Sequence, residues 1–257
     1  MEKSRVGYEV QDGVALITLD HPERRNALSR ALLEALKEHL DRAARDAAVR
    51  AVILRANGPV FSAGHDLREL IGSTEGDAQA LFGLCTDVME TIRLLPKPVI
   101  AQVHALATAA GCQLVATCDL VVASCEATFA TPGVKIGLFC TTPGVAVSRA
   151  VGTKKAMEML LTGAPITAEE AERAGLVNRV VPPDRLGSET MALARQIIAA
   201  SGYTLGVGKR GFYAQVALDR PQAYAVAQEI MVENTLAPDA QEGMRAFLEK
   251  RAPRWES

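Results

Sequence analysis

The sequence predicts an α/β fold, a largely parallel sheet followed by a helical C-terminal region, and three observations carry that expectation. Two runs rich in strand formers, Tyr8 to Val10 and Val14 to Leu19, flank Asp12-Gly13, the signal of a tight hairpin. Beyond residue 29, short apolar runs alternate with helical patterns, which right-handed crossovers turn into parallel strands. From Lys154 onward the pattern is almost wholly helical.

Each element has its own warrant. Ser29 precedes Leu32, Leu33, Leu36, Leu40 and Ala43, with charges between them, so a capped amphipathic helix runs to about residue 47. Ala51 to Leu54 reads as a buried strand, Asp77 to Leu94 as a helix and Val99 to Val103 as a strand. Gly111 to Thr117 reads as a helix and Leu120 to Ala123 as the next strand. Helices then follow over Lys154 to Leu161, Thr167 to Ala174, Arg185 to Ala200, Arg220 to Asn234 and Ala240 to Lys250, with only Leu176 to Val181 strand-like among them. The uncharged stretch Val99 to Cys118 is long enough for a membrane span. Gln102, His104, Thr108, Gly111, Gln113 and Thr117 interrupt it, and a buried strand, turn and helix explain it better. No repeat or low-complexity linker is visible, and the chain divides into a core, residues 1–200, and a helical region, residues 201–257.

At 257 residues, 49% hydrophobic and 23% charged, the chain is long enough to bury a self-sufficient core. A net charge of −2 offers no overall attraction to nucleic acid or to an anionic membrane, so neither is an expected partner. An anionic ligand must be held locally, and Arg24-Arg25 and Lys250-Arg251 read either as such cations or as solvated surface charges. The five cysteines form no CxxC pair and read as reduced thiols, His21, His39 and His104 have no ligand spacing, and no metal is expected. Met1 to Arg5 has neither an apolar signal core nor an Arg/Ser-rich presequence, which makes the cytoplasm the expected location.

The chemistry is concentrated in two small-residue turns. Ala107-Thr108-Ala109-Ala110-Gly111 follows a strand and opens a helix, so backbone N–H groups at the helix start point at whatever sits there. That arrangement outlines an oxyanion site. Read with Phe61-Ser62-Ala63-Gly64-His65-Asp66-Leu67 and Phe129-Ala130-Thr131-Pro132-Gly133-Val134, it resembles the crotonase, or enoyl-CoA hydratase/isomerase, superfamily. The resemblance runs from Val14 to Trp255 and includes Pro22 to Leu28, Gly163 to Gly175 and Glu242 to Arg251.

The resemblance implies a spiral of ββα units in two stacked sheets, with the helices of residues 201–257 covering the active site of their own or a neighbouring subunit. It implies a homotrimer or dimer of trimers, an acyl-CoA or enoyl-CoA thioester as substrate, and no cofactor. The amides of His65 and Ala110 would be the oxyanion donors. Ala27, Ala63, Gly64, Asp66, Leu67, Ala109, Gly111, Pro132, Leu138 and Cys140 would line the substrate. Arg24 and Arg25 would lie by the CoA phosphates, and Phe247 with Lys250 near the adenine.

The expected acid/base pair is missing. Gln113 stands where a hydratase of the family carries one glutamate, and Gly133 stands after Pro132 where it carries the other. An amide positions water but accepts no proton near neutral pH, and glycine has no side chain. Weak hydration is therefore expected, while enolate stabilisation survives; decarboxylation, isomerisation and slow hydration stay open, as does a non-catalytic acyl-CoA binder. Ser62 to Asp66 also resembles a decarboxylase branch of the superfamily, whose tyrosine falls at Cys140 here. The His65 ring either touches the acyl group or points aside while its amide works, and Asp66 is expected to hold its loop. Glutamates at both 113 and 133 are expected to raise hydration.

Overall fold

The computed structural model describes residues 5–256; residues 1–4 and 257, and with them most of the stretch Met1 to Arg5, lie outside the described residues. The opening hairpin forms as expected. β1 (Val6–Gln11) and β2 (Val14–Leu19) pair antiparallel, joined by Asp12 and Gly13 at φ 51° and 77°, the left-handed pair a two-residue hairpin turn requires. Ser29 caps α1 (Arg30–Arg45) by accepting from the Leu32 amide, and Leu32, Leu33, Leu36, Leu40 and Ala43 form its buried stripe. β3 (Ala51–Ala56) then pairs parallel with β2.

The helix expected from Asp77 begins two residues earlier, as α2 (Glu75–Leu94), because Thr74 and Asp77 form a reciprocal capping box. β4 (Val99–Val103) leads into the two-residue β5 (Ala107–Thr108), then α3 (Ala110–Thr117), β6 (Leu120–Ser124) and β7 (Thr128–Ala130). β4 and β6 extend the parallel sheet. Two helices follow, α4 (Thr141–Val151) and α5 (Thr153–Thr162), then β8 (Ile166–Thr167), α6 (Ala168–Ala174), β9 (Arg179–Val181) and α7 (Leu186–Ile198). The main sheet has the order β1-β2-β3-β4-β6-β9, and a small second sheet has the order β5-β7-β8. α8 (Gly202–Gln215), α9 (Arg220–Leu236) and α10 (Pro238–Leu248) complete the chain, which is the α/β architecture with a helical C-terminus that the sequence predicts.

The central strands are covered on both faces, as parallel strands are. Ala15, Ile17 and Leu19 face the main core with α1, α2 and α3, while Val14, Leu16, Ile53, Ile100 and Val122 face Leu186, Leu193 and Ala194 of α7. α8 is pegged into the main body by Lys209, whose Nζ donates to Asp119 Oδ2 at 2.6 Å and to the carbonyls of Ile92 and Lys97. The Tyr213 hydroxyl donates to Asp119 Oδ1 at 2.9 Å, and the Val99 amide donates to Asp119 Oδ2 at 2.7 Å. No helix among the described residues is long and apolar enough to cross a membrane.

Some elements escape the sequence reading. α8 carries Gly202, Gly206, Gly208 and Gly211, which hide a helix from propensity arguments. Gly206 is there for contact, since a Cβ would lie 2.8 Å from the Pro96 carbonyl oxygen. Pro143 and Gly144 mask α4 in the same way. β5 and β8 span two residues each, too short for any periodicity, and the strand-like run from Leu176 contracts to β9.

Candidate active site

Three loops that are far apart in sequence are stitched together by backbone and serine hydrogen bonds. The Ala63 amide donates to Arg25 O at 3.0 Å, the Leu28 amide to Gly64 O at 2.7 Å, and the Thr108 amide to Ser62 O at 3.0 Å. Ser62 is fully buried, and its hydroxyl donates to Asn26 O at 2.9 Å and accepts from the Gly64 amide at 3.3 Å. Asn26 holds the first loop: its Nδ2 donates to Asn57 O and Val60 O, and its Oδ1 accepts from the His21 amide. Arg25 and Asn26 both have φ near +50°, a reversal that asparagine tolerates well.

The two small-residue turns abut. Gly64 has φ +83°, and a Cβ there would lie 2.8 Å from Ala109 Cβ and 3.2 Å from Ala110 N. A Cβ on Gly111 would lie 2.6 Å from Ser62 O, so the start of α3 sits directly against the 62–65 turn. Ala109 adopts φ 51°, ψ −120°, a strained conformation for a residue with a side chain, and its amide donates to Ala130 O at 2.9 Å. Among the described residues, the amides of His65 and Ala110 donate to no other group. Ala110 opens α3, so its N–H is one of the first-turn donors with no partner inside the helix.

His65 is partly buried, its Nδ1 lies 3.2 Å from Leu28 O, and its ring meets Phe82 edge to face. A carbonyl only accepts, so Nδ1 carries the hydrogen and Nε2 is a bare acceptor, buried without a partner. Burial holds the imidazole below its ordinary pKa, against the Leu28 carbonyl and Glu69, so the ring is neutral at pH 7. Asp66 caps the turn Leu67–Glu69 by accepting from the Arg68 amide, the loop-holding task its position predicts.

Residues 131–140 close the group. Gly133 is buried, its amide donates to Cys140 Sγ at 3.3 Å, and its carbonyl accepts from the Leu138 amide at 2.9 Å. A Cβ at 133 would lie 2.8 Å from both Leu138 O and Cys140 Sγ. The place a side chain at 133 would enter is filled by a backbone oxygen and a sulfur, which weighs against a glutamate there. Gln113, one turn into α3, is 5% exposed with Oε1 unpartnered, and Thr131 is fully buried with Oγ1 unpartnered.

Ala27, Ala63, Gly64, His65, Asp66, Ala109, Ala110, Gly111, Gln113, Pro132, Gly133 and Cys140 therefore lie on one connected set of loops, with Leu67 and Leu138 exposed at its surface. Arg24 and Arg25 are exposed on the first of them. Phe247 and Lys250 are not part of the set. Phe247 ends up 82% exposed on α10, which packs against α9 and α8. The organising roles of Asn26 and Ser62 are not readable from sequence, since their partners are distant; Thr131 carried no signal beyond its place before Pro132. Among the described residues, no group of three His, Cys, Asp or Glu could hold a metal.

Comparison with known proteins establishes the family. The enoyl-CoA hydratase/isomerase family profile matches residues 9–257. The mouse mitochondrial protein named enoyl-CoA hydratase domain-containing protein 3 is 49% identical over 246 residues, 95% of this chain and 82% of that protein. A crystal structure of an enoyl-CoA hydratase from Mycobacterium smegmatis superposes with a TM-score of 0.95 at 49% identity, covering 98% of this chain and 99% of that one. The human enoyl-CoA hydratase domain-containing protein 3 superposes with a TM-score of 0.92 at 47% identity, covering 98% and 100%. The expected cytoplasmic location is corrected by these relatives, since the mouse and human proteins are named as mitochondrial. That expectation rested on the absence of an apolar signal core and of an Arg/Ser-rich presequence in Met1 to Arg5. On the match across nearly its whole length, the chain belongs to the enoyl-CoA hydratase/isomerase family.

Proposed function

We propose that the chain binds an acyl-CoA thioester with its carbonyl oxygen between the amides of His65 and Ala110 and stabilises the enolate formed there. The observation that carries this reading is the pair of N–H groups left without partners on two turns held in contact. A donor of this kind contributes roughly 3 to 4 kcal/mol to a developing oxyanion. The chemistry requires no cofactor. Exposed Arg24 and Arg25 supply local cations for the phosphates of CoA on a chain whose net charge is −2. Ala110→Pro tests the reading: position 110 opens a helix, where proline is tolerated, and the N–H is replaced by a ring carbon. Enolate-analogue affinity is expected to fall about 10²-fold, and unchanged affinity in a folded variant refutes the assignment.

Hydration is the weaker activity in this reading. Gln113 accepts no proton and Gly133 has no side chain, and each lost acid/base group typically costs about 10²- to 10⁴-fold in rate. The same two residues favour one other reading, a non-catalytic acyl-CoA binder, which a panel of CoA esters separates by showing affinity without product. Residues 201–257 are the assembly and cover region of a homotrimer or dimer of trimers, supported by Met231 (64% exposed), Leu236 (72%) and Leu248 (79%) on α9 and α10. Light scattering that finds only a 27.4 kDa monomer at micromolar concentration refutes the assembly.

A further inference from the structure

After α10 the chain turns back on itself. Lys250 takes φ 55°, the Arg251 amide donates to Ala246 O at 3.0 Å, and residues 252–256 return alongside the helix. Three hydrogen bonds fasten this tail. The Arg254 amide donates to Glu242 Oε1 at 3.0 Å, the Trp255 indole Nε1 to Ala199 O at 2.9 Å, and the Glu256 amide to Asp239 Oδ1 at 2.8 Å. Gly243 makes room for the indole, since a Cβ there would lie 3.2 Å from the Trp255 ring. Between tail and helix lies a cavity of about 1040 Å³, large enough for a sizeable small molecule.

Its walls are locally basic on a chain whose net charge is −2: Arg245, Arg251 and Arg254 line it, against Glu242 and Glu256. Glu242 is already committed. Arg251 Nη1 and Nη2 donate to its two oxygens at 2.6 and 3.0 Å, and this fork together with the Arg254 amide holds the carboxyl well below the usual carboxylate range. Arg251 is committed in turn, its Nε donating to Glu249 Oε2 at 2.6 Å. The guanidinium groups of Arg245 and Arg254 have no hydrogen-bond or ion-pair partner among the described residues, and both residues border Glu242, Arg245 through its charge and Arg254 through its amide. Two planar forks without acceptors therefore face one cavity, whose apolar wall is the Trp255 indole with Pro238 and Pro253. Phe247 and Lys250 are not among its lining residues.

We propose that this cavity binds an organic phosphate, its phosphate oxygens accepting from Arg245 and Arg254 and its apolar body lying against Trp255 and the two prolines. A guanidinium fork matches phosphate geometry, and the hydrogen bonds it makes there are charge assisted. The organic part is read from the wall: a bare phosphate leaves most of the cavity, and the whole indole, to water. The site is separate from the two turns and stands independently of the acyl-CoA reading. A ligand held here joins α10 to a tail that is itself tied to Ala199 at the end of α7, so occupancy fixes the tail in place.

Trp255 is the only tryptophan of the chain, so its fluorescence reports on the cavity directly. Phenyl phosphate and inorganic phosphate are titrated into the full chain at constant ionic strength. A saturable change in emission is expected for both, with phenyl phosphate binding at least about threefold more tightly. Arg245→Gln and Arg254→Gln, both at exposed positions and so harmless to folding, are each expected to weaken phenyl phosphate about tenfold. Lys155→Gln, on α5, is expected to change nothing. Emission that drifts without saturating, or that responds equally to chloride, reports screening of surface charge and overturns the site. Unchanged affinity in both arginine variants overturns it as well, and equal affinities for the two probes overturn the organic part of the ligand. Saturating butyryl-CoA is expected to leave the phenyl phosphate dissociation constant unmoved; displacement of the probe would make these arginines part of the acyl-CoA site and overturn a separate one.

Discussion

Installing a glutamate at position 133 should fail to create a hydratase, although the chemistry of the family makes it the obvious substitution. The β carbon would lie 2.8 Å from Leu138 O and from Cys140 Sγ, so the 133–140 loop must open by about half an ångström before any carboxylate is placed. Two hydrogen bonds resist that opening, Leu138 N–H to Gly133 O at 2.9 Å and Gly133 N–H to Cys140 Sγ at 3.3 Å. Overpacking of this kind costs about 1 to 3 kcal/mol. Gln113 offends less, since glutamate has the same shape, and its burial raises the carboxyl pKa toward the range a general acid needs. Gln113→Glu alone is therefore expected to raise crotonyl-CoA hydration by up to about 10²-fold. Gln113→Glu with Gly133→Glu should gain nothing further and lose stability. The assay is loss of the enoyl thioester absorbance, paired with urea unfolding of both variants and of Gly133→Ala. A double variant as stable as wild type, hydrating well beyond the single variant, would show that the loop admits a side chain and that the steric argument is wrong.

Other outcomes follow from single features. Ala109 holds φ 51°, ψ −120°, so Ala109→Gly should stabilise the protein by about 1 kcal/mol in urea, where most glycine substitutions destabilise; a loss of stability would refute the strain. His65 titrates below 6.5 in the folded protein, so the unfolded chain takes its proton first and stability is lost as pH falls through and below 6.5. Melting temperatures between pH 7 and pH 5 should drop further for wild type than for His65→Asn, and parallel curves would contradict this. Asp119→Ala leaves the buried Lys209 ammonium, 8% exposed, without its carboxylate and should cost about 3 to 5 kcal/mol, part of which Lys209→Met restores in the double variant. Additive losses in that cycle would show that the pair is not coupled.

What the sequence made legible is what depends on neighbours a few residues away. Asp12-Gly13 fixes its own turn, Ser29 its own helix start, and the apolar runs their own strands. α8 was hidden because its glycines answer to Pro96 and Ile230, which lie on other elements. The site divides the same way. The Ala107 to Gly111 turn announces free amides locally, but the fit of Gly64 against Ala109, the tether from Ser62 to Asn26, and the sulfur filling the space at Gly133 all join segments separated by several residues or more. Phe247 and Lys250 were placed by family resemblance alone, and Phe247 lies exposed on α10, outside the connected loops.

Ser62 and Gly111 occupy what is effectively one volume, and that ties their histories together. A methyl group on residue 111 would lie 2.6 Å from Ser62 O and 2.9 Å from its Oγ, while the same Oγ spans Asn26 and Gly64. Neither position is free to drift alone. Enlarging residue 111 pushes α3 against the 62–65 turn, and removing the hydroxyl at 62 takes away one of the tethers on the loop that carries Arg24 and Arg25. In a set of related chains the two positions should change together or not at all, and lineages that replaced both should also show an altered first loop.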